Sequence, residues 1–245
     1  MSGTPPNPMQ FGTRCVVSVP ASTSNIGPGF DGIGCAVALR NEFEFELLPP
    51  GSSSTATLSG SRSAGITTSP HNLAIITAQK FFRMQGQLVP SFSLRAKIEV
   101  PNARGLGSSS TAIVAGIVAG NTLLGNPLTE AQLLDLAVEL EGHPDNVAPA
   151  LLGGLIIGAA QSKPLSYFRL AVHQDVRFVF LIPDYEVKTA DARAVLPKTI
   201  PHADGIFNAS RTPIVVLSLT TGNLAPLASA IEDKLHQPYR KQLFK

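Results

Sequence analysis

The chain has no tryptophan, two cysteines and few charged residues, which make up 15% of its 245 positions. Cys15 and Cys35 lie outside any CxxC spacing, so neither a disulfide framework nor a structural zinc site is indicated, and a reducing, cytoplasmic location is expected. No apolar run is long enough to span a bilayer. A formal charge of +2 without a dense lysine or arginine cluster gives no support for a nucleic-acid or membrane surface. Small molecules are therefore the expected partners.

Apolar residues account for 44% of the chain, and its 21 glycines and 20 prolines predict a folded protein with many turns. The length suits one large domain or two small ones. We expect a loose tail at residues 1–12, a first domain over residues 13–160 and a second over residues 161–245. The boundary is placed near residues 158–163.

Alternating apolar residues predict strands, and apolar residues at helical spacing predict helices. Strands are predicted at residues 14–20, 35–49, 91–101, within 149–161, at 177–183 and at 213–219. Helices are predicted at residues 72–86, 108–124 and 129–140, the last with Thr129 as its N-cap. Residues 51–65 are rich in glycine and serine and are predicted to form a loop.

The segment PNARGLGSSST at residues 101–111 lies between a predicted strand and a predicted helix. Gly105 and Gly107 permit a tight backbone path, and Ser108, Ser109 and Ser110 begin a helix whose free N–H groups and dipole favour an anion such as phosphate. The alternative is a serine-capped turn without a ligand, but one serine suffices for a cap. The segment is neither a Walker A loop, which requires a lysine, nor a GxGxxG fingerprint. Without that lysine, a nucleotide triphosphate would need Mg²⁺ held by acidic residues nearby.

Two further polar segments carry candidate ligands. Residues 139–146 bring together five polar side chains, those of Glu139, Glu141, His143, Asp145 and Asn146. They suit a hard-cation oxygen site better than the zinc site of a hydrolase, because no HExxH motif occurs. The alternative is a helix end followed by a Pro-Asp-Asn turn that binds no ligand. Residues 20–34, PASTSNIGPGFDGIG, place Asn25 and Asp31 among glycines after a strand, which in isolation is typical of a turn.

Taken in order, three segments resemble motifs of the homoserine kinases in the GHMP kinase superfamily: VPASTSNIGPGFDGIG, PNARGLGSSST and EGHPDNVAPALLGG. The likeness continues through KTADARAVLP at residues 188–197 and IEDKLHQPYR at residues 231–240. It therefore covers nearly all of the chain after the tail. One departure is that Ser110 and Thr111 stand where the family usually has alanine.

The resemblance implies an α+β GHMP kinase fold with the active site in a cleft between two domains. The N-terminal domain would resemble the second domain of ribosomal protein S5 and bind ATP, and the C-terminal domain would be ferredoxin-like and bind the substrate. The family carries a third, Gly-rich motif beyond the HQPYR segment, and this sequence reaches Lys245 without it. We therefore expect an incomplete C-terminal domain with an unpaired sheet edge.

The family's reaction transfers the γ-phosphate of ATP to the hydroxyl of L-homoserine in threonine biosynthesis, with Mg²⁺. By likeness, ATP would bind to Asn72, Arg104, Gly105, Leu106, Gly107, Ser108, Ser109 and Ser110. Mg²⁺ would bind to Ser109 and Glu141. Homoserine would bind to Asn25, Asp31, His143, Asp145, Asn146, Thr189, Arg193 and Arg240. Asp145, Ser109 and Glu141 would form the catalytic set.

Two alternatives stay open. Another kinase of the superfamily, acting on mevalonate or a sugar, would share GLGSS but carry an HGxPSGxDN-like segment in place of EGHPDN. A truncated, non-catalytic nucleotide-binding form is the second. Neither nucleic acid nor a membrane is expected as a partner, and a homodimer is left open.

Overall fold

A six-stranded mixed sheet organises residues 10–244, the part of the chain that the computed structural model describes. Its strands are β1 (Arg14–Ser24), β2 (Ile33–Leu48), β3 (Thr55–Ser59), β4 (Ser91–Lys97), β5 (Leu155–Gly158) and β6 (Tyr167–Leu170). They are ordered β3-β4-β2-β5-β6, and β1 pairs with β2. Strands β3 and β4 are parallel and are connected through a helix, whereas the other pairs are antiparallel. The long strand β2 therefore pairs with three neighbours.

Helices fill the connections and the C-terminal part. They are α1 (Leu73–Met84), α2 (Ser108–Leu123), α3 (Glu130–Glu141), α4 (Pro144–Leu152), α5 (Thr189–Ala194), α6 (His202–Thr221), α7 (Leu227–Ala230) and α8 (Gln237–Arg240), followed by a 3-10 turn at Lys241–Leu243. Local chemistry explains several ends. The Asn72 side chain caps α1, Thr129 and Gln132 form a capping box at the start of α3, and Gly142 ends α3 in the left-handed conformation.

The main core lies between the sheet and helices α1 and α2. Along β2, Phe43, Phe45 and Leu47 are at most 3% exposed, while Glu44 and Glu46 between them are partly exposed. This confirms the predicted alternation. Phe92 of β4 packs edge-on against Phe45 and Phe82, with ring centroids 5.8 and 5.9 Å apart. The core therefore fixes β2, which follows the polar loop at residues 25–32, and β4, which precedes the glycine-containing loop at residues 101–107.

Most predicted elements are confirmed, but two predicted strands are wrong. Residues 213–219 lie within α6, where Val215 and Leu219, four residues apart, pack on Ile33 and Leu155. This helical packing overrides the strand propensity of the β-branched run. Residues 177–183 form no strand, and no neighbouring strand pairs with them among residues 10–244; Leu181 is 94% exposed.

Three smaller differences concern loops and the tail. The loop predicted at residues 51–65 contains β3, and the Pro-Asp-Asn segment begins a helix, α4, instead of forming a turn. Proline suits the first position of a helix because its missing N–H would have no partner there. Residues 1–9 of the predicted tail lie outside the described residues, and Gly12 donates a hydrogen bond to the carbonyl of Leu47. None of the described helices is both long and apolar enough to cross a membrane.

A close contact between β2 and α4 suggests a stability test. A Cβ atom on Gly34 would lie 1.7 Å from the carbonyl oxygen of Asp145, so Gly34→Ala must displace the start of α4. We expect it to lower the free energy of unfolding by at least about 2 kcal/mol. Gly205→Ala, inside α6, is the matched control, because its Cβ would meet nothing nearer than 3.9 Å. That variant should be as stable as the parent or more stable. Equal urea midpoints for both variants would contradict this reading of the contact.

Candidate active site

The loop between β4 and α2 has an unusual backbone. Ala103, Gly105 and Gly107 all have positive φ angles, of 52°, 71° and 66°. Ser22 of β1 donates its backbone N–H to the carbonyl of Leu106 over 3.2 Å, which ties the loop to the sheet. Gly107 is the N-cap of α2, and no side chain in the described part of the chain caps this helix. The first N–H groups of α2 are therefore available to an anion.

The serines that follow are joined to the end of α3. Ser109 and Ser110 both donate their hydroxyls to Oε1 of Glu141 over 3.1 Å. Thr111 donates to the carbonyl of Ser108 and accepts from Nδ2 of the buried Asn41. The hydroxyls that replace the family's usual alanines are thus hydrogen-bonded. They connect the start of α2 to β2 and α3.

His143 and Asp145 form a buried pair at the start of α4. His143 Nδ1 lies 2.5 Å from Asp145 Oδ1, and the Asp145 side chain is inaccessible to solvent. The hydrogen bond to Asp145 raises the pKa of the His143 imidazole, against the opposing effect of burial. Asp145 Oδ2 is buried without a hydrogen-bond partner among residues 10–244. Because buried carboxylate oxygens are normally hydrogen-bonded, this oxygen is suited to accept from a ligand.

A chain of side-chain hydrogen bonds shapes the loop after β1. The Ser24 hydroxyl accepts from Nδ2 of Asn25 and from Nδ2 of Asn146, over 2.8 and 3.0 Å. Asn25 Oδ1 in turn accepts the backbone N–H of Asp31, and Asn146 Oδ1 accepts the hydroxyl of Ser22. The amides of Asn25 and Asn146 therefore link this loop to α4.

Two arginines approach this loop from the C-terminal part. Arg193 donates from Nη1 and Nη2 to the two carboxylate oxygens of Asp31 over 3.1 and 2.7 Å. This bidentate bonding raises the pKa of Arg193. Arg240 donates from Nε to the carbonyl of Ala192, and burial, followed by the nearby charge of Arg193, lowers its pKa. Thr189 and Arg193 both lie on α5. Because they are four residues apart, they share one face of this helix.

These groups meet in a cleft of about 450 Å³. Most of the predicted residues line it: Asn25, Arg104, Gly105, Leu106, Gly107, Ser108, Ser109, Ser110, Glu141, His143, Asp145, Asn146, Thr189, Arg193 and Arg240. Asp31 is not part of this lining but reaches it through Arg193. A second cavity of about 220 Å³ contains Asn72 and shares Asn102, Ser108 and Ser109 with the cleft. The two cavities therefore meet at the start of α2.

Asn72 and Arg104 have hydrogen bonds within the protein. The Asn72 side chain accepts from Ala74 N and donates to the carbonyl of Thr67. Arg104 donates to the carbonyls of Asn102, Pro183 and Asp184 and forms an ion pair with Glu186, so it connects the loop between β4 and α2 to residues 183–186. Their assignment to ATP stays a prediction.

Several cleft residues were not identified from the sequence. Tyr185 and Lys188 line the cleft, as does the irregular segment that contains Pro183. Phe30 and His236 lie behind the two arginines. An aromatic residue among glycines in the first polar loop was the available signal for Phe30.

Residues 72–154 match the GHMP kinases N terminal domain family. The homoserine kinase of Nostoc punctiforme is 45% identical over 96% of this chain and 77% of its own length, and that of Synechococcus sp. is 47% identical over 94% and 75%. The chain belongs to the homoserine kinase family. It spans about three quarters of the length of these relatives.

Solved structures agree with membership of the homoserine kinase family. The crystal structure of homoserine kinase from Cytophaga hutchinsonii superposes with a TM-score of 0.77 at 27% identity, covering 94% of this chain and 75% of that chain. L. major mevalonate kinase, at 16% identity and a TM-score of 0.67, shares the fold. The family resemblance and the α+β GHMP kinase fold are therefore confirmed.

The pair at the start of α4 predicts a pH dependence. Because folding raises the pKa of His143, the pair's contribution to stability is fully present below the unfolded value of 6.5 and is lost as pH rises through the folded value. Asp145→Asn should lower the pKa of His143, as measured by NMR titration with the resonance assigned through His143→Gln. At any one pH the resonance of His202, at the start of α6, should not differ between the two proteins. An unchanged titration of His143 in Asp145→Asn would contradict the proposed coupling.

Proposed function

We propose that this chain transfers the γ-phosphate of ATP to the hydroxyl of L-homoserine, giving O-phospho-L-homoserine for threonine biosynthesis. Membership of the homoserine kinase family supports the reaction. The structural observation that best supports this reaction is the position of two groups in the cleft. The uncapped start of α2 and the Arg193 guanidinium line the same cleft, so a phosphate site faces a group that can recognise a carboxylate.

ATP is assigned to the region around the start of α2. Gly105, Leu106, Gly107 and Ser108 to Ser110 would surround the β- and γ-phosphates, and the open space beside Gly105 leaves room for them. The adenine would occupy the adjoining cavity near Asn72 because the two cavities share Ser108 and Ser109. Arg104 would also bind ATP, because it belongs to the same loop and lines the cleft.

Ser109 and Glu141 would hold Mg²⁺. Among the described residues, no cluster of three or more acidic, histidine or cysteine side chains is arranged for a metal ion. Mg²⁺ commonly takes only one or two protein ligands and completes its shell with phosphate oxygens and water, so the hydroxyl and carboxylate oxygens 3.1 Å apart fit it. Bound there, the ion would neutralise charge on the transferred phosphate.

Homoserine would bind on the opposite side of the cleft. Arg193 and Arg240 would hold its carboxylate, Asp31 its ammonium group, and Thr189, Asn25 and Asn146 the surrounding contacts. Asp145, through its unpartnered Oδ2, would orient the hydroxyl beside His143. Because phosphoryl transfer proceeds through a loose transition state, in which positioning and charge neutralisation carry most of the catalysis, the first role proposed for Asp145 is to bind and orient the substrate hydroxyl.

The domain assignment and the location belong to the same proposal. Residues 13–160 would form the ATP-binding domain and residues 161–245 the substrate domain, although β6 extends the same sheet beyond that division. A cytoplasmic location agrees with the two cysteines, neither of which is in a disulfide.

An ADP-release assay with L-homoserine, mevalonate and galactose tests the function. We expect turnover with L-homoserine at a kcat/KM far above that for the other two alcohols. Preference for mevalonate or galactose would favour another kinase of the superfamily. ATP binding without turnover on any of the three would favour a non-catalytic nucleotide-binding form.

Glu141 is the residue whose loss tests the metal site. Glu141→Gln should reduce kcat by roughly 100-fold and raise the Mg²⁺ concentration needed for half-maximal rate, because a neutral amide binds a hard cation weakly. Glu139→Gln, on the exposed side of the same helix, is the matched control and should behave like the parent. Parent-like Mg²⁺ dependence of Glu141→Gln would remove Glu141 from the metal site.

A further inference from the structure

The ring of Phe30 contacts three groups at the back of the cleft. The guanidinium carbons of Arg193 and Arg240 lie 5.6 and 5.1 Å from its centroid. The imidazole of His236 stacks on it at 5.2 Å with an interplanar angle of 25°. Both arginines are within the distance at which a cation is attracted to an aromatic face. Phe30 is therefore in contact with both candidate carboxylate ligands.

This arrangement addresses an electrostatic difficulty. Arg193 and Arg240 are like charges near enough for one to perturb the other. Asp31 neutralises Arg193 by bonding to both of its terminal nitrogens, whereas no carboxylate forms an ion pair with Arg240 among residues 10–244. An aromatic face attracts a guanidinium without using its N–H donors. Nη2 of Arg240, which has no hydrogen bond to any described residue, stays available to a ligand.

The loop that carries Phe30 is held from the C-terminal part of the chain. His236 Nε2 lies 2.9 Å from the carbonyl of Gly27, so the neutral imidazole carries its proton there and donates it. Asn208 donates to the carbonyl of Pro28 over 3.1 Å. Asp233 fixes both holding residues, because it accepts from Asn208 Nδ2 and from the backbone N–H of His236. The ring position is thus determined by several buried bonds.

We propose that Phe30 is a positioning residue that orients Arg193 and Arg240 toward the carboxylate of the substrate. The inference rests on the proposed function, since it concerns recognition of homoserine. Phe30 acts through the two guanidinium groups, both of which its ring attracts. Its loss should therefore affect the amino-acid substrate and leave ATP recognition unchanged.

The test compares Phe30→Leu with Phe30→Tyr. Phe30→Leu keeps an apolar side chain but removes the aromatic face, and should raise the KM for L-homoserine about tenfold while the KM for ATP stays within about twofold of the parent. Phe30→Tyr keeps the face and should restore a near-parental KM. Phe207→Leu is the matched control because its ring lies beneath Arg211 and Lys234, at 3.4 and 4.6 Å, and does not line the cleft. It should leave both KM values unchanged.

A fluorinated ring provides a second test that does not depend on whether Phe30→Leu folds correctly. Trifluorophenylalanine at position 30 keeps the shape of the ring but weakens its negative face, so it should also raise the KM for L-homoserine. Unchanged KM for L-homoserine in the fluorinated protein, or equal increases for both substrates, would overturn the role of Phe30. If the parent protein neither binds nor phosphorylates L-homoserine, the proposed function itself fails. If the parent phosphorylates L-homoserine but the fluorinated ring leaves its KM unchanged, only the role of Phe30 fails.

Discussion

The backbone conformation at Gly107 is the constraint on which the cleft depends. Its φ of 66° turns the chain into α2, and a Cβ at this position would lie 2.2 Å from the Ser22 hydroxyl and 3.2 Å from Oδ1 of Asn146. Only glycine permits this approach without displacing its neighbours. Ser22 and Asn146 belong to the other two polar segments, and they hydrogen-bond to each other over 3.0 Å. The three motifs therefore meet at one point, which places the start of α2 against the substrate side.

Charge is distributed around that point in a consistent way. Glu141 accepts hydrogen bonds from Ser109 and Ser110, so its carboxylate lies beside the anion-favouring start of α2 and would be available to a cation there. On the other side, basic groups from α5 and α8 face Asp31 and the His143–Asp145 pair. Opposite charges thus alternate across the cleft. A phosphate donor and a zwitterionic acceptor would each find groups of complementary charge in this cleft.

Local pattern was enough to predict the start of α2, the Thr129 N-cap of α3 and the alternation along β2, because each depends on neighbours in the chain. The two wrong strands failed for tertiary reasons. Residues 213–219 are helical because Val215 and Leu219 pack on the sheet, and residues 177–183 have no strand beside them among the described residues. The roles predicted for the site residues depended on the family motifs and not on local pattern. Phe30 was missed because its partner His236 acts on Gly27 from 209 positions along the chain.

The pairing of Asp31 with Arg193 joins residues 162 positions apart. Under the proposed function, this pair would let the cleft bind an amino acid with little loss of conformational entropy. Each partner is already oriented by the other, so less conformational entropy would be lost when a ligand is recognised. A zwitterion has its positive and negative groups on one carbon, and it can lie antiparallel to the pair so that four charges alternate. Binding would then extend the ion pair instead of breaking it. A ligand with a carboxylate but no ammonium group could not form an ion pair with Asp31. This difference is a physical basis for selecting an amino acid over a hydroxy acid.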